Sequence, residues 1–422
     1  MKSLIFTTTI IFSLFFFVIM SVVGYNYMGA DDSPIYMYAC VGLNFISIFF
    51  FLKDLFLRKF TVTKELIFII GGQFLLLLSF FLENPMDEFA RKQPLAIFAL
   101  AMPTCYIAYD VAKTNSWKDM TKWLDILAIL ITLGVIINIP TIIISKGYGA
   151  IQGGQEALNI NYQSAAYYSA FAYSITLTLL LFGDVVHNRF KIFKTRIFNL
   201  ISIALLVIQV ALCIMSGGRG GAVLLFVSTV VFLIVAKPSK LRKLFLQISI
   251  ATICIIVPAT LIFPSFGEGV LDVIAKSSER TFSYLSSDGI DMSQTSNRDL
   301  EYEAALTTIA KSPIIGHGFF RYIDVKNYSI YPHNFFLEIL LQGGTILLII
   351  VLTLLFSLYR KYKKMVKYDQ TNILLVPLIC YPATLLMFSG SYLDTALFWF
   401  GTMYIYCYKM RSNKKVKRSN SQ

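Results

Sequence analysis

The chain has 422 residues, 56% of them hydrophobic and only 14% charged, at a mean hydropathy of +0.67. A soluble chain carries about 25% charged residues, so most soluble enzymes and all disordered or collagen-like classes are excluded. The net charge is +13, and the six cysteines lie in apolar runs without a C-x-x-C pair, which excludes a disulfide scaffold.

Apolar runs long enough to cross a bilayer recur from end to end. In chain order they predict twelve helices, at 4–23, 35–52, 65–82, 93–112, 123–144, 164–183, 197–216, 221–237, 244–263, 334–357, 372–389 and 394–410. Lys2 precedes the first, but its length of about 20 residues and the lack of a small-residue cleavage site favour a retained span over a signal peptide. With the N-terminus in the cytoplasm, the inner segments hold 27 of the 37 Lys and Arg residues and the outer segments 10. That asymmetry predicts both termini inside, and it turns the basic excess into a topology signal rather than a nucleic-acid site. The expected organisation is spans over 1–263, an outer loop over 264–332, spans over 333–410 and a basic cytoplasmic tail over 411–422. The fold class is an all-α polytopic membrane protein of about twelve transmembrane helices with one large loop.

The long loop carries nine acids and six bases. Val270–Lys276 reads as a short interfacial helix. Ser296, with Asp299 three residues on, resembles a capping box that opens a helix; Leu300, Ala304, Ala305 and Ile309 give it an apolar stripe, and Pro313 ends it. Pro313-Ile-Ile-Gly-His-Gly follows, whose glycines permit a tight turn or the close approach of backbone to a ligand. Tyr331-Pro332-His333-Asn334 leads into the tenth span.

Three residues stand out for chemistry. Arg219, in Ser216-Gly-Gly-Arg-Gly-Gly221 between spans seven and eight, is costly at that depth unless paired. The flanking Gly218 and Gly220 leave backbone N–H groups open, and the helix that starts there favours an anion. The alternative is a snorkelling arginine in a tight hairpin. His333, at the membrane surface after a proline, could accept a proton near pH 7, or simply cap the span. Arg298, at the positive end of the loop helix, either faces an anion or is balanced by Asp299, Glu301 and Glu303. Arg321 and Asn334 are further candidate substrate contacts. Glu338 lies about 140° around the helix from His333 and is expected to pair within the bundle. His187 reads as a solvated loop residue and His317 as structural. No residues in the outer loops show metal-ligand spacing.

Ser-Gly-Gly-Arg-Gly-Gly after a span, Arg298 through Lys-Ser-Pro-Ile-Ile-Gly-His-Gly-Phe, and Pro-His-Asn-Phe-Phe-Leu-Glu-Ile-Leu-Leu-Gln-Gly-Gly together resemble the O-antigen ligase/polymerase superfamily of bacterial inner membranes. The similarity runs over about 150–390. It implies a membrane-embedded glycosyltransferase architecture of GT-C type that moves a glycan from undecaprenyl diphosphate to an acceptor sugar on the periplasmic side, with no cofactor. Carried over, Arg219 and Arg298 would bind the diphosphate and His333 would activate the acceptor hydroxyl. The partners so implied are the undecaprenyl-diphosphate-linked oligosaccharide, membrane lipid and a chain-length regulator protein, with no nucleic acid. The glycine-rich arginine motif looks more like polymerases than like ligases, which join finished glycan to the lipid A core. A flippase of lipid-linked sugar is the third reading, and it would show repeat symmetry that is not visible here.

Overall fold

The computed structural model describes residues 1–24, 34–59, 61–83, 88–146, 161–186, 188–262, 275, 285–286, 289–290, 298–325 and 328–410. The expected basic tail, His187, Ser296, and all of 270–276 but Ala275, which is helical, lie outside them.

Among the described residues, fifteen α-helices have both ends in view, in chain order: α1 Lys2–Val22, α2 Pro34–Leu57, α3 Lys64–Glu83, α4 Glu88–Leu95, α5 Pro103–Thr114, α6 Trp117–Met120, α7 Leu124–Lys146, α8 Tyr162–Phe182, α9 Arg196–Ser216, α10 Arg219–Val235, α11 Pro238–Ile262, α12 Arg298–Lys311, α13 Phe335–Tyr368, α14 Val376–Phe388 and α15 Ala396–Cys407. The expected span at 93–112 is α4 and α5 joined through a π turn at Ala96–Ala101. Two antiparallel hairpins complete the described elements: β1 Leu285–Ser286 with β2 Gly289–Ile290, and β3 Ile323–Val325 with β4 Tyr328–Ile330. Among the described residues, eight helical segments are long and apolar enough to cross a membrane, and the two halves of α1, bent by 110°, would together make a ninth. Backbone polar groups must be satisfied internally in lipid, which is why the spans are helical. The 17 residues of α10 and the 12 of α15 are shorter apolar helices.

Helix α8 is the centre of the bundle. It is buried on nearly all sides, and its Ala165, Ala166, Ser169, Ala170, Ala172 and Ser174 let α7, α9, α10 and α14 pack closely against it. Asn161 caps it by accepting from the Ser164 N–H at 2.7 Å. Deeper in, the Gln209 amide nitrogen of α9 donates to Thr132 of α7 at 2.8 Å and to Thr176 of α8 at 3.1 Å, giving both its donors partners that lipid could not supply.

Ion pairs gather at one end. Lys2 pairs with Asp54 and Asp110, Arg58 with Asp110, Lys113 with Glu65, Lys118 with Asp369, and Arg189 with Asp125. Every base in this set belongs to the segments that charge counting places together. The opposite end carries the Gly217–Arg219 hairpin, α12 and His333.

Candidate functional site

At that opposite end, α9 stops because Gly217 takes the left-handed conformation, φ 67°, and α10 starts two residues on at Arg219. The glycines serve helix packing. A β-carbon on Gly218 would lie 2.6 Å from that of Ala166, one on Gly220 would overlap the Tyr167 hydroxyl, and one on Gly221 would strike the Ala166 backbone. The run therefore seats the start of α10 directly on α8, and the expected opening of Gly218 and Gly220 toward a ligand is met instead by α8 on their Cα side. Arg219 itself is half-buried.

The loop elements are tied down one by one. Helix α12 ends at Lys311, before Pro313, as expected, and Ala305 and Ile309 are buried; Leu300, at the start of the expected stripe, is exposed. Segment 313–318 then pairs with a break in α13. Gly343 and Gly344 leave helical geometry there, and the Thr345 and Ile346 N–H groups donate to the carbonyls of Pro313 and Ile314 at 2.9 and 3.2 Å. In return His317 and Gly318 donate to Leu341 and Gln342, both at 2.8 Å. Gly316, at φ 71°, makes room for the α13 backbone itself. The His317 ring is 2.8 Å from the Thr308 carbonyl, a structural role. At Gly318, φ 101°, the close approach is by the Glu83 carboxylate, which accepts from the N–H groups of Phe319 and Phe320 at 3.0 and 3.1 Å. Glu83 was not singled out from sequence. Its only signal there is an acid at the outer end of an apolar run.

These constraints deliver His333 and Arg298 to one place. Arg298 pairs with Glu301 at 2.5 Å, so one of the three acids beside it does balance it. Its charge still acts on Tyr167, Tyr331 and His333 alike. The Tyr331 and His333 rings meet edge to face, with centroids 4.4 Å apart. Ser389, in the turn after α14, gathers the group: its carbonyl accepts from the Tyr331 hydroxyl at 3.4 Å and faces His333, and its hydroxyl lies 3.5 Å from the Tyr167 hydroxyl. Gly220, the residue after Arg219, packs against the Tyr167 hydroxyl of this set.

Burial first, and then the Arg298 charge, push the His333 imidazole down from 6.5 to about 4, against the opposing pull of the Ser389 carbonyl. Its Nδ1 is closed off from solvent and has no hydrogen-bond partner among the described residues. A neutral imidazole beside a guanidinium can take a proton from a hydroxyl while the cation holds an anion.

The remaining candidates are placed differently. The Asn334 carbonyl oxygen caps α13, accepting from Phe336 and Leu337 at 3.0 and 3.2 Å. Arg321 is exposed in the turn after Gly318. Glu338 is buried and pairs inside the bundle, as expected: Ser391 donates to it at 2.5 Å, and the Tyr392 N–H at 3.4 Å. Tyr167 and Ser389 were missed because they come from stretches that carry no charge or motif, and Tyr331, two residues before His333, because an aromatic at a membrane surface is ordinary.

No curated protein and no solved structure matches the chain. Residues 204–352 match the family model described as O-antigen ligase. That match covers about a third of the chain, spans Arg219, Arg298 and His333, and makes this stretch of an integral membrane protein similar to that family.

Proposed function

We propose that the chain is a polymerase of O-antigen or capsular polysaccharide. It would transfer a glycan from undecaprenyl diphosphate to the acceptor sugar of another lipid-linked repeat unit, at the periplasmic face of the bacterial inner membrane. The observation that carries this reading is the gathering of His333, Tyr331, Ser389 and Tyr167 within reach of the Arg298 charge at one end of the bundle. His333 takes the proton of the acceptor hydroxyl. The hydroxyl oxygen forms the new glycosidic bond at the anomeric carbon as its bond to the diphosphate breaks. Arg298 and Arg219 hold the departing diphosphate charge. Both termini are assigned to the cytoplasm, since the paired basic residues gather at the other end. A chain-length regulator would act as partner.

The test uses purified protein. His333→Asn suits the left-handed backbone at this position, φ 45°, and removes the base. It should bind the donor yet lose about 10²–10⁴ in transfer rate. Full transfer would reduce His333 to a cap of the span. The second reading, a ligase acting on lipid A core, is favoured by the description of the matched family. Deletion of the gene separates the two: loss of the polysaccharide ladder above one repeat unit means polymerase, and polymer stranded on its lipid carrier means ligase.

A further inference from the structure

In an α-helix each N–H donates to the carbonyl four residues back. The break at Gly343 and Gly344 interrupts two such pairs of α13, Thr345 with Leu341 and Ile346 with Gln342. Segment 313–318 replaces the partner of every one of these four groups. The Thr345 and Ile346 N–H groups donate to Pro313 and Ile314, and the Leu341 and Gln342 carbonyls accept from His317 and Gly318. Water would serve such groups at no structural cost, whereas in lipid the protein must supply the partners.

The break also lies deep along the helix. Arg360 is the first base beyond the apolar run of α13, and Ile346 stands about 21 Å from it along the axis. That is well inside a hydrocarbon core of about 30 Å. Should the Arg360 side chain snorkel to the head groups, the break sits deeper still. The turn bonded to it is apolar and uncovered: Ile314 and Ile315 are 60% and 71% exposed. Beside them Ile346, Ile349 and Ile350 are exposed on α13 and continue the same surface down the span.

We propose that the turn at 313–316 dips into the membrane, with Ile314 and Ile315 seated among the acyl chains of the leaflet on the His333 side. Three observations carry it: the exchange of backbone partners across the break, the depth of that break, and the unbroken run of exposed isoleucines from the turn onto a lipid-facing span. Lys311, exposed two residues before Pro313, has a stem long enough to leave its ammonium at the head groups. The seat has a use. Helix α12 ends at Lys311, so the helix that begins with Arg298 is moored at its other end to the bilayer as well as to α13. The inference concerns how the loop is held, and it stands whether or not the chain transfers glycan.

The experiment uses the full chain in lipid nanodiscs with a nitroxide on Ile315→Cys. Ile349→Cys on the span and Glu303→Cys on the exposed side of α12 are the references, and the wild type given the same label is the blank for the native cysteines. The label at 315 should gain the relaxation by dissolved oxygen seen at 349 and lose the relaxation by an aqueous nickel chelate seen at 303. Nickel access equal to that at 303 would put the turn in water and overturn the proposal. Shielding from both reagents would also overturn it, since a second copy or another protein would then cover the isoleucines. Should Ile315→Cys fail to fold, the wild type serves in nanodiscs that contain a phospholipid with a diazirine in its acyl chain. Crosslinks at 313–315 as well as at 349–350 support the seat. Crosslinks at 349–350 without any at 313–315 overturn it.

Discussion

Removing the Arg298 charge separates the two causes that keep His333 neutral. An imidazole held at about 4 instead of 6.5 favours its neutral form by about 3 kcal/mol. Burial is the larger cause and Arg298 the smaller. Arg298→Gln, combined with Glu301→Gln so that no carboxylate is left unpaired, should therefore raise the titration of His333 only part of the way, above 4 and short of 6.5. The sign follows from the working form. Because neutral imidazole is the base, transfer by the wild type should persist, as far as His333 governs it, until pH falls toward 4, and the acid limb of the variant should lie at higher pH. The chain has three histidines, so nuclear magnetic resonance of ¹³C-labelled histidine in detergent, with His187→Asn and His317→Asn for assignment, reads the titration directly. A wild-type His333 titrating near 6.5, or no change on removing Arg298, would refute the account of the site.

Arg219→Lys keeps the charge but loses the planar fork that holds two phosphate oxygens, and should cost at least about tenfold in glycan polymer at equal expression; normal polymer length on gels would remove Arg219 from the diphosphate role. Gly220→Ala should force α10 off α8, since its β-carbon overlaps Tyr167, at about 1–3 kcal/mol, read as a lower melting temperature in detergent; an unchanged melt would mean that the contact yields freely. Glu83→Gln leaves the Phe319 and Phe320 N–H groups with one carbonyl acceptor in place of a carboxylate, a loss of about 1–3 kcal/mol. Faster hydrogen exchange over 313–325 should follow, and unchanged protection there would count against the Glu83 clasp.

The helices were legible because membrane spans announce themselves by length and hydropathy, and the break of α12 at Pro313 because proline acts locally. The end of α13 was not. Its expected limit was 357, yet the helix runs on to Tyr368 through Arg360, Lys361, Lys363, Lys364 and Lys367, beyond what the apolar core needs. Arg298 and His333 were legible as single residues whose placement is locally awkward, a cation at a helix start and a histidine at a membrane surface. What joins them was not, because Ser389, Tyr167 and Tyr331 are ordinary polar and aromatic residues until the bundle brings them together. The glycines carry two readings for a physical reason. Absence of a side chain looks the same in sequence whether the space is left for a ligand or for another helix, and at Gly218 and Gly220 the other helix takes it.

The left-handed backbone of His333 has a consequence for what residue 333 can be. Such a conformation costs a branched or ring-bearing side chain about 1–3 kcal/mol and costs glycine nothing. Judged by folding alone, glycine or asparagine is the better occupant, and drift at this position would run toward them. If His333 is the base proposed above, position 333 sets the interests of the fold and of the chemistry against each other within a single residue.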